Sequence, residues 1–229
     1  MSNQNNVNEV RAPILYRVLG WIVTLFVPAI LILTVIRLLM VPAFLQIEYR
    51  MPGFPADRFG FTLEDRLYWS RFAMDYLVNS EDIAYLGELR FENGSLVYNQ
   101  RELKHMIDVQ VALRSAINIW YFSLGIMLIF GIWAWRGSWW KEYRSGLARG
   151  GWLTIFLIAG LIPVVLLSFG IFFVAFHNVF FEPGTWIFYY SDTLIRLFPE
   201  RFWRDIFIYI GVFAMAGGLA LGFGFKNNE

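Results

Sequence analysis

The sequence predicts an α-helical polytopic membrane protein. It has four transmembrane helices, with a small extracytoplasmic α+β subdomain between the first and second. Three observations carry this reading. Of the 229 residues, 58% are hydrophobic and 16% charged, against about 45–50% and about 25% in a soluble domain. Four charge-free runs are each long enough to cross a bilayer. Aromatic residues make up 19% of the chain, which suits a protein at a lipid–water boundary.

The elements follow in order. Residues 1–17 are read as a cytoplasmic N-terminus. The first ten are polar, and no small-residue cleavage site follows the first apolar run, so that run is a retained anchor. Four charge-free runs, 18–36, 115–135, 150–176 and 206–225, lie between charged or histidine residues. They place the transmembrane helices at 18–41, 114–135, 151–176 and 206–225. A helix needs about 20 residues for about 30 Å of hydrocarbon. The third run exceeds this, so part of it should tilt or extend beyond the bilayer. The loop 136–150 carries Arg136, Lys141, Arg144 and Arg149 against one acid, Glu142. The positive-inside rule makes it cytoplasmic. The C-terminal residues 226–229 then also lie inside, and 42–113 and 177–205 lie outside.

The outer segment 42–113 reads as structured. Thr62 and Asp65 fit a capping box that opens a helix over Leu63–Val78. Asn93-Gly94 between two β-prone stretches predicts a two-residue hairpin. Asn99 and Glu102 fit a second capping box, and its helix should run unbroken from Gln100 into the second span. Gly218 and Gly222 permit close helix contact in the fourth.

Composition and motifs exclude several functions. A net charge of +1 points to no nucleic-acid partner. The absence of cysteine removes disulfides, thiolate metal sites and a cysteine nucleophile. No Ser elbow, zinc-protease motif, P-loop or dinucleotide fingerprint is present. The chain has two histidines, His105 and His177. Each sits where an outer segment meets a span, among polar residues. His105 has Arg101, Glu102 and Asp108 within a helical turn. His177 has Asn178 beside it and Glu182 beyond. Two titrating imidazoles facing a headgroup, or two interfacial histidines reaching water, both fit this placement. Arg196, with other charges of the last outer segment, forms either an anion site or a solvated network.

The stretches FGFTLEDR at 59–66, YNQRELKHMIDV at 98–109, FHNVFFEPGTWIF at 176–188 and LFPERFW at 197–203 resemble a family of four-span bacterial membrane proteins. That family contains the lyso-form lipoprotein intramolecular transacylase, and the resemblance covers nearly the whole chain. It implies transfer of the sn-2 acyl chain of a diacylglyceryl-cysteine lipoprotein to the α-amino group of the same cysteine. It also implies His105 and His177 as the catalytic pair, in the bacterial plasma membrane, and the loop charges place that pair at the outer leaflet. His105 is expected as general base, oriented by Asp108 or Glu102 and supported by Asn178. His177 is expected at the oxyanion or leaving group. Arg101, Trp186 and Arg196 are candidate substrate contacts. The implied partners are the lipoprotein substrate and membrane lipids. No cofactor, metal or obligate protein partner is expected. Two alternatives remain: a haem-binding anchor with two axial histidines, and a non-catalytic structural subunit of a membrane complex.

Overall fold

The computed structural model describes residues 13–225. Residues 1–12 and 226–229, parts of the two termini read as cytoplasmic, lie outside the described residues. Nine helices are described: α1 Ile14–Leu39, α2 Pro42–Glu48, α3 Leu63–Val78, α4 Ala84–Gly87, α5 Gln100–Arg136, α6 Trp140–Leu167, α7 Phe169–Phe180, α8 Thr193–Leu197 and α9 Glu200–Gly224. α1, α5, α6 and α9 are long and apolar enough to cross a membrane. Only 11–33% of each apolar window is buried in the protein. Large side chains such as Phe122, Phe156 and Leu167 face outward. Lipid is the solvent that makes such a surface stable.

Inside the bundle, α6 lies between α1 and α9 through small residues. A Cβ on Gly151 would stand 2.4 Å from the Gly218 carbonyl oxygen, and one on Gly146 would stand 2.5 Å from that of Gly20. These backbones touch because nothing larger than hydrogen separates them. Thr24 donates from its hydroxyl to the Gly20 carbonyl at 2.9 Å and approaches that of Gly146 at 3.3 Å.

Two features differ from the expectation. The 42–113 segment is not an α+β subdomain. Among the described residues it holds helices and a single antiparallel bridge, Arg90 to Leu96. Asn93-Gly94 does not form a two-residue turn, which needs positive φ at both central positions. Only Gly94 has it, at φ 82°. The Gly94 amide instead donates to Phe91 at 2.8 Å, closing a four-residue turn. The third apolar run is also not one helix. It breaks at Ser168 (φ −145°, ψ 47°) into α6 and α7, which disposes of its excess length. The basic segment is mostly helical as well, since only 137–139 separate α5 from α6.

Both capping boxes form. Thr62 with Asp65 opens α3, and Asn99 with Glu102 opens α5. α2–α4 and the 181–199 segment gather as a cap at one end of the bundle. Their core is Ala73, Tyr76, Leu86, Val97, Tyr98, Leu103, Met106, Leu194 and Leu197. The Glu102 carboxylate accepts from the Leu194 amide at 2.7 Å, and Tyr49 donates to the Leu197 carbonyl at 2.9 Å. The first bond holds the loop after α7 against the top of α5, beside which the two histidines meet, and the second ties the same loop to the end of α2.

Candidate active site

His105 lies on the second turn of α5, ten residues before the spanning run 115–135. His177 lies near the end of α7. The chain separates them by 72 positions, yet their rings stack with centroids 6.1 Å apart and planes 23° from parallel. Both are 8% exposed. Aromatic rings enclose the pair. Phe181 and Phe188 stand 5.0 and 5.3 Å from His105, while Phe173, Trp186 and Phe181 stand 4.0, 4.7 and 5.4 Å from His177.

The hydrogen bonds of the pair are unequal. His177 Nδ1 lies 2.8 Å from the Phe173 carbonyl oxygen. A carbonyl only accepts, so this nitrogen carries the proton and Nε2 keeps a lone pair. His105 Nδ1 is buried and has no partner among the described residues. Burial drives the His105 imidazole down to about 4, and the neighbouring His177 pushes the same way. Burial also lowers His177, opposed by its bond to Phe173. Both rings are therefore neutral at neutral pH.

The expected supporting residues divide. Glu102 does not orient His105. Its carboxylate accepts from the Asn99 and Leu194 amides, and burial holds it above its ordinary value despite those bonds. Asp108 makes no hydrogen bond to His105 among the described residues. It lines a groove between α5 and the end of α7. Asn178 is exposed and bonded to neither ring. Trp186 packs on His177, with its indole nitrogen buried and unpartnered among the described residues.

Arg101 pairs with Asp192 at 3.1 Å and covers the Tyr189 ring. Arg196 is committed to the cap: it pairs with Asp57 at 3.0 Å and lies 3.4 Å above the Phe61 ring. Burial would raise Asp57, but the hydrogen bonds from Arg196 and the Phe61 amide outweigh it and hold the carboxyl low. Phe173 and Phe181 are neighbours of the pair that the sequence analysis does not single out. Their positions four residues either side of His177 put all three on one helical face, which is the signal that was available.

Among the described residues no group of three or more His, Asp or Glu side chains is placed to hold a metal. The arrangement offers one neutral imidazole with a fixed lone pair, a second beside it, and an apolar enclosure. That suits proton transfer to and from a reacting group.

Comparison with known proteins adds three findings. The family described as lipoprotein intramolecular transacylase Lit matches residues 20–203. An uncharacterised protein of Aquifex aeolicus is 30% identical over 180 residues, 79% of this chain and 80% of that protein. In fold, the chain is similar to the membrane-integral lipoprotein intramolecular transacylase Lit from Bacillus cereus, with a TM-score of 0.63 and 21% identity over 90% of this chain and 92% of that one. A variant of that protein with one histidine replaced by alanine gives a TM-score of 0.70 at 20% identity, over 93% and 92% of the two chains.

Proposed function

The chain belongs to the lipoprotein intramolecular transacylase family, and from that premise we propose that it moves the sn-2 acyl chain of a diacylglyceryl-cysteine lipoprotein onto that cysteine's own α-amino group. The observation that carries this reading is the buried, stacked pair of His105 and His177.

The neutral amine attacks the sn-2 ester carbonyl carbon and an N–C bond forms. The nitrogen becomes acidic as it does so, and a weakly basic imidazole then suffices to take its proton. We assign that step to Nε2 of His177, whose lone pair is set by the Phe173 bond. This reverses the expectation that His105 is the base, because His105 is the harder ring to protonate. His105 donates to the tetrahedral oxyanion. The intermediate collapses, the C–O bond breaks, and the His177 proton passes to the departing sn-2 oxygen. The product is an N-acyl, S-monoacylglyceryl lipoprotein. Amine and ester belong to one molecule, so holding them together replaces a bimolecular encounter.

Single His105→Ala and His177→Ala changes should each cost about 10²–10⁴-fold in rate. The double change should cost little more than the worse single one. Mass spectrometry of a reporter lipopeptide reads the N-acylated form. Unchanged product from the double variant would refute histidine catalysis, and no product from the unmodified, correctly inserted protein would favour a non-catalytic subunit.

We place the cap at the outer leaflet of the bacterial plasma membrane and both termini in the cytoplasm, on the basic 136–149 segment. The chain has no cysteine to interfere. A cysteine at exposed Glu92 should react with an impermeant thiol reagent in intact cells, and one at exposed Ser138 should not. The opposite pattern would invert the molecule.

A further inference from the structure

A groove begins beside the histidines and runs toward the bilayer. On α5, Asp108, Ala112, Ser115, Ala116 and Ile119 share one face at three- and four-residue spacing and line it. His105 heads the same face one turn earlier. Opposite, Phe181 and Glu182 form the wall at the end of α7. The cavity is about 470 Å³, within the about 300–1,000 Å³ of ligand sites. Phe181 is also the ring that touches both histidines, so groove and pair share a wall.

The chemistry of the groove is sorted along its length. Ala112 and Ala116 give it depth. The Ser115 hydroxyl donates to the Val111 carbonyl at 2.8 Å, so it asks nothing of an occupant. The remaining wall is apolar down to Ile119. Its two charged groups, Asp108 and Glu182, are both acids. Neither forms an ion pair among the described residues. Asp108 is half-buried and Glu182 exposed.

We propose that this groove receives an acyl chain of the substrate, while Asp108 and Glu182 hold its α-ammonium beside the histidines. The inference rests on the transacylase reading above and goes beyond it by naming the group that recognises the free amine. An apolar channel suits a hydrocarbon chain. Two unpaired carboxylates at its charged end complement a primary ammonium, which can donate to both. The ester then lies between these anchors. The carboxylates bind the resting ammonium, and attack follows loss of its proton to water at the exposed Glu182 end.

Two ether-linked dialkylglyceryl-cysteine peptides test this, because an sn-2 ether cannot be transferred. One keeps its α-amine and the other is N-acetylated. Binding is measured to the full chain in nanodiscs. The free amine should bind at least about tenfold tighter, the low end for hydrogen bonds to charged groups. That preference should collapse in the double variant Asp108→Asn, Glu182→Gln. Ala116→Trp, which fills the groove, should weaken both peptides alike. Equal binding of the two peptides to the unmodified protein overturns the amine site and needs no variant. Unweakened binding to a folded Ala116→Trp protein overturns the acyl groove. Turnover of the ester-linked peptide separates the premises. Conversion with equal binding sinks this inference alone, and no conversion sinks the transacylase reading with it.

Discussion

Phe181→Ala should restore much of the ordinary basicity of His105. The Phe181 ring is 5.0 Å from His105 and 5.4 Å from His177. With Phe188 it covers a ring that is 8% exposed. Burial is the main cause that brings His105 from 6.5 to about 4. That displacement corresponds to about 3 kcal/mol against charging the ring. At pH 6 roughly 1% of the unmodified His105 is then protonated. Removing the phenyl ring admits water to one side, and the midpoint should climb by one unit or more. A midpoint near 5.5 would leave roughly a quarter protonated at pH 6. The chain has only two histidines, so NMR of ¹³Cε1-labelled histidine gives two resonances. A His177→Gln variant leaves one and assigns them. The titration is read without substrate, so it is independent of the groove that Phe181 also lines. An unmodified His105 titrating near 6.5 would refute the burial argument. So would a Phe181→Ala protein, still monodisperse, whose His105 midpoint does not move.

Two further outcomes are expected. Arg196→Ala leaves Asp57, whose side chain is 4% exposed, as a buried unpaired acid. Thermal unfolding should register a loss of about 3–5 kcal/mol, while turnover per folded molecule stays unchanged; a selective rise in KM would restore Arg196 as a substrate contact. Glu48 on α2 is fully buried, with both carboxylate oxygens unpartnered among the described residues. Burial and then Asp205 push it up to about 7. The folded state therefore binds the proton more tightly than the unfolded one, and stability declines as pH rises from about 4.5 to about 7. Glu48→Gln should remove that decline and stabilise the protein at pH 8 by up to about 3 kcal/mol, with little effect at pH 4. Parallel pH–stability curves for the two proteins would count against it.

What was legible in the sequence was local. A capping box closes within four residues, so Thr62 with Asp65 and Asn99 with Glu102 announce helix starts without tertiary help. The spans were legible because a bilayer penalises charge over a fixed length. Turn chemistry misled at Asn93-Gly94: the dipeptide tolerates positive φ at both positions, and the chain uses it at only one. A count of uncharged residues cannot see a break such as Ser168, which leaves composition unchanged. The histidine pair was visible as a family motif, but its surroundings were not. Glu102 looked like a histidine partner because it sits one turn away. Its carboxylate is instead taken by an amide 92 positions along the chain. The Phe173 carbonyl that sets the His177 tautomer is a backbone group, and no side-chain pattern reports it.

α5 is continuous for 37 residues, about 55 Å of helix. Its charge-free run begins at residue 115, so His105 is carried up to about 15 Å above that level, less with tilt. The ester of a diacylglyceryl group resides near the top of the hydrocarbon. A reaction at His105 therefore requires the substrate to be drawn partly out of its leaflet. Each methylene drawn into water would cost about 0.8 kcal/mol, so a lift of ten would cost about 8 kcal/mol, the whole binding energy of a micromolar complex. On the proposed function, the continuous helix makes acyl transfer a problem of lipid extraction. The proposed acyl groove would answer it with a wall of protein that rises from the membrane with the chain and keeps it dry.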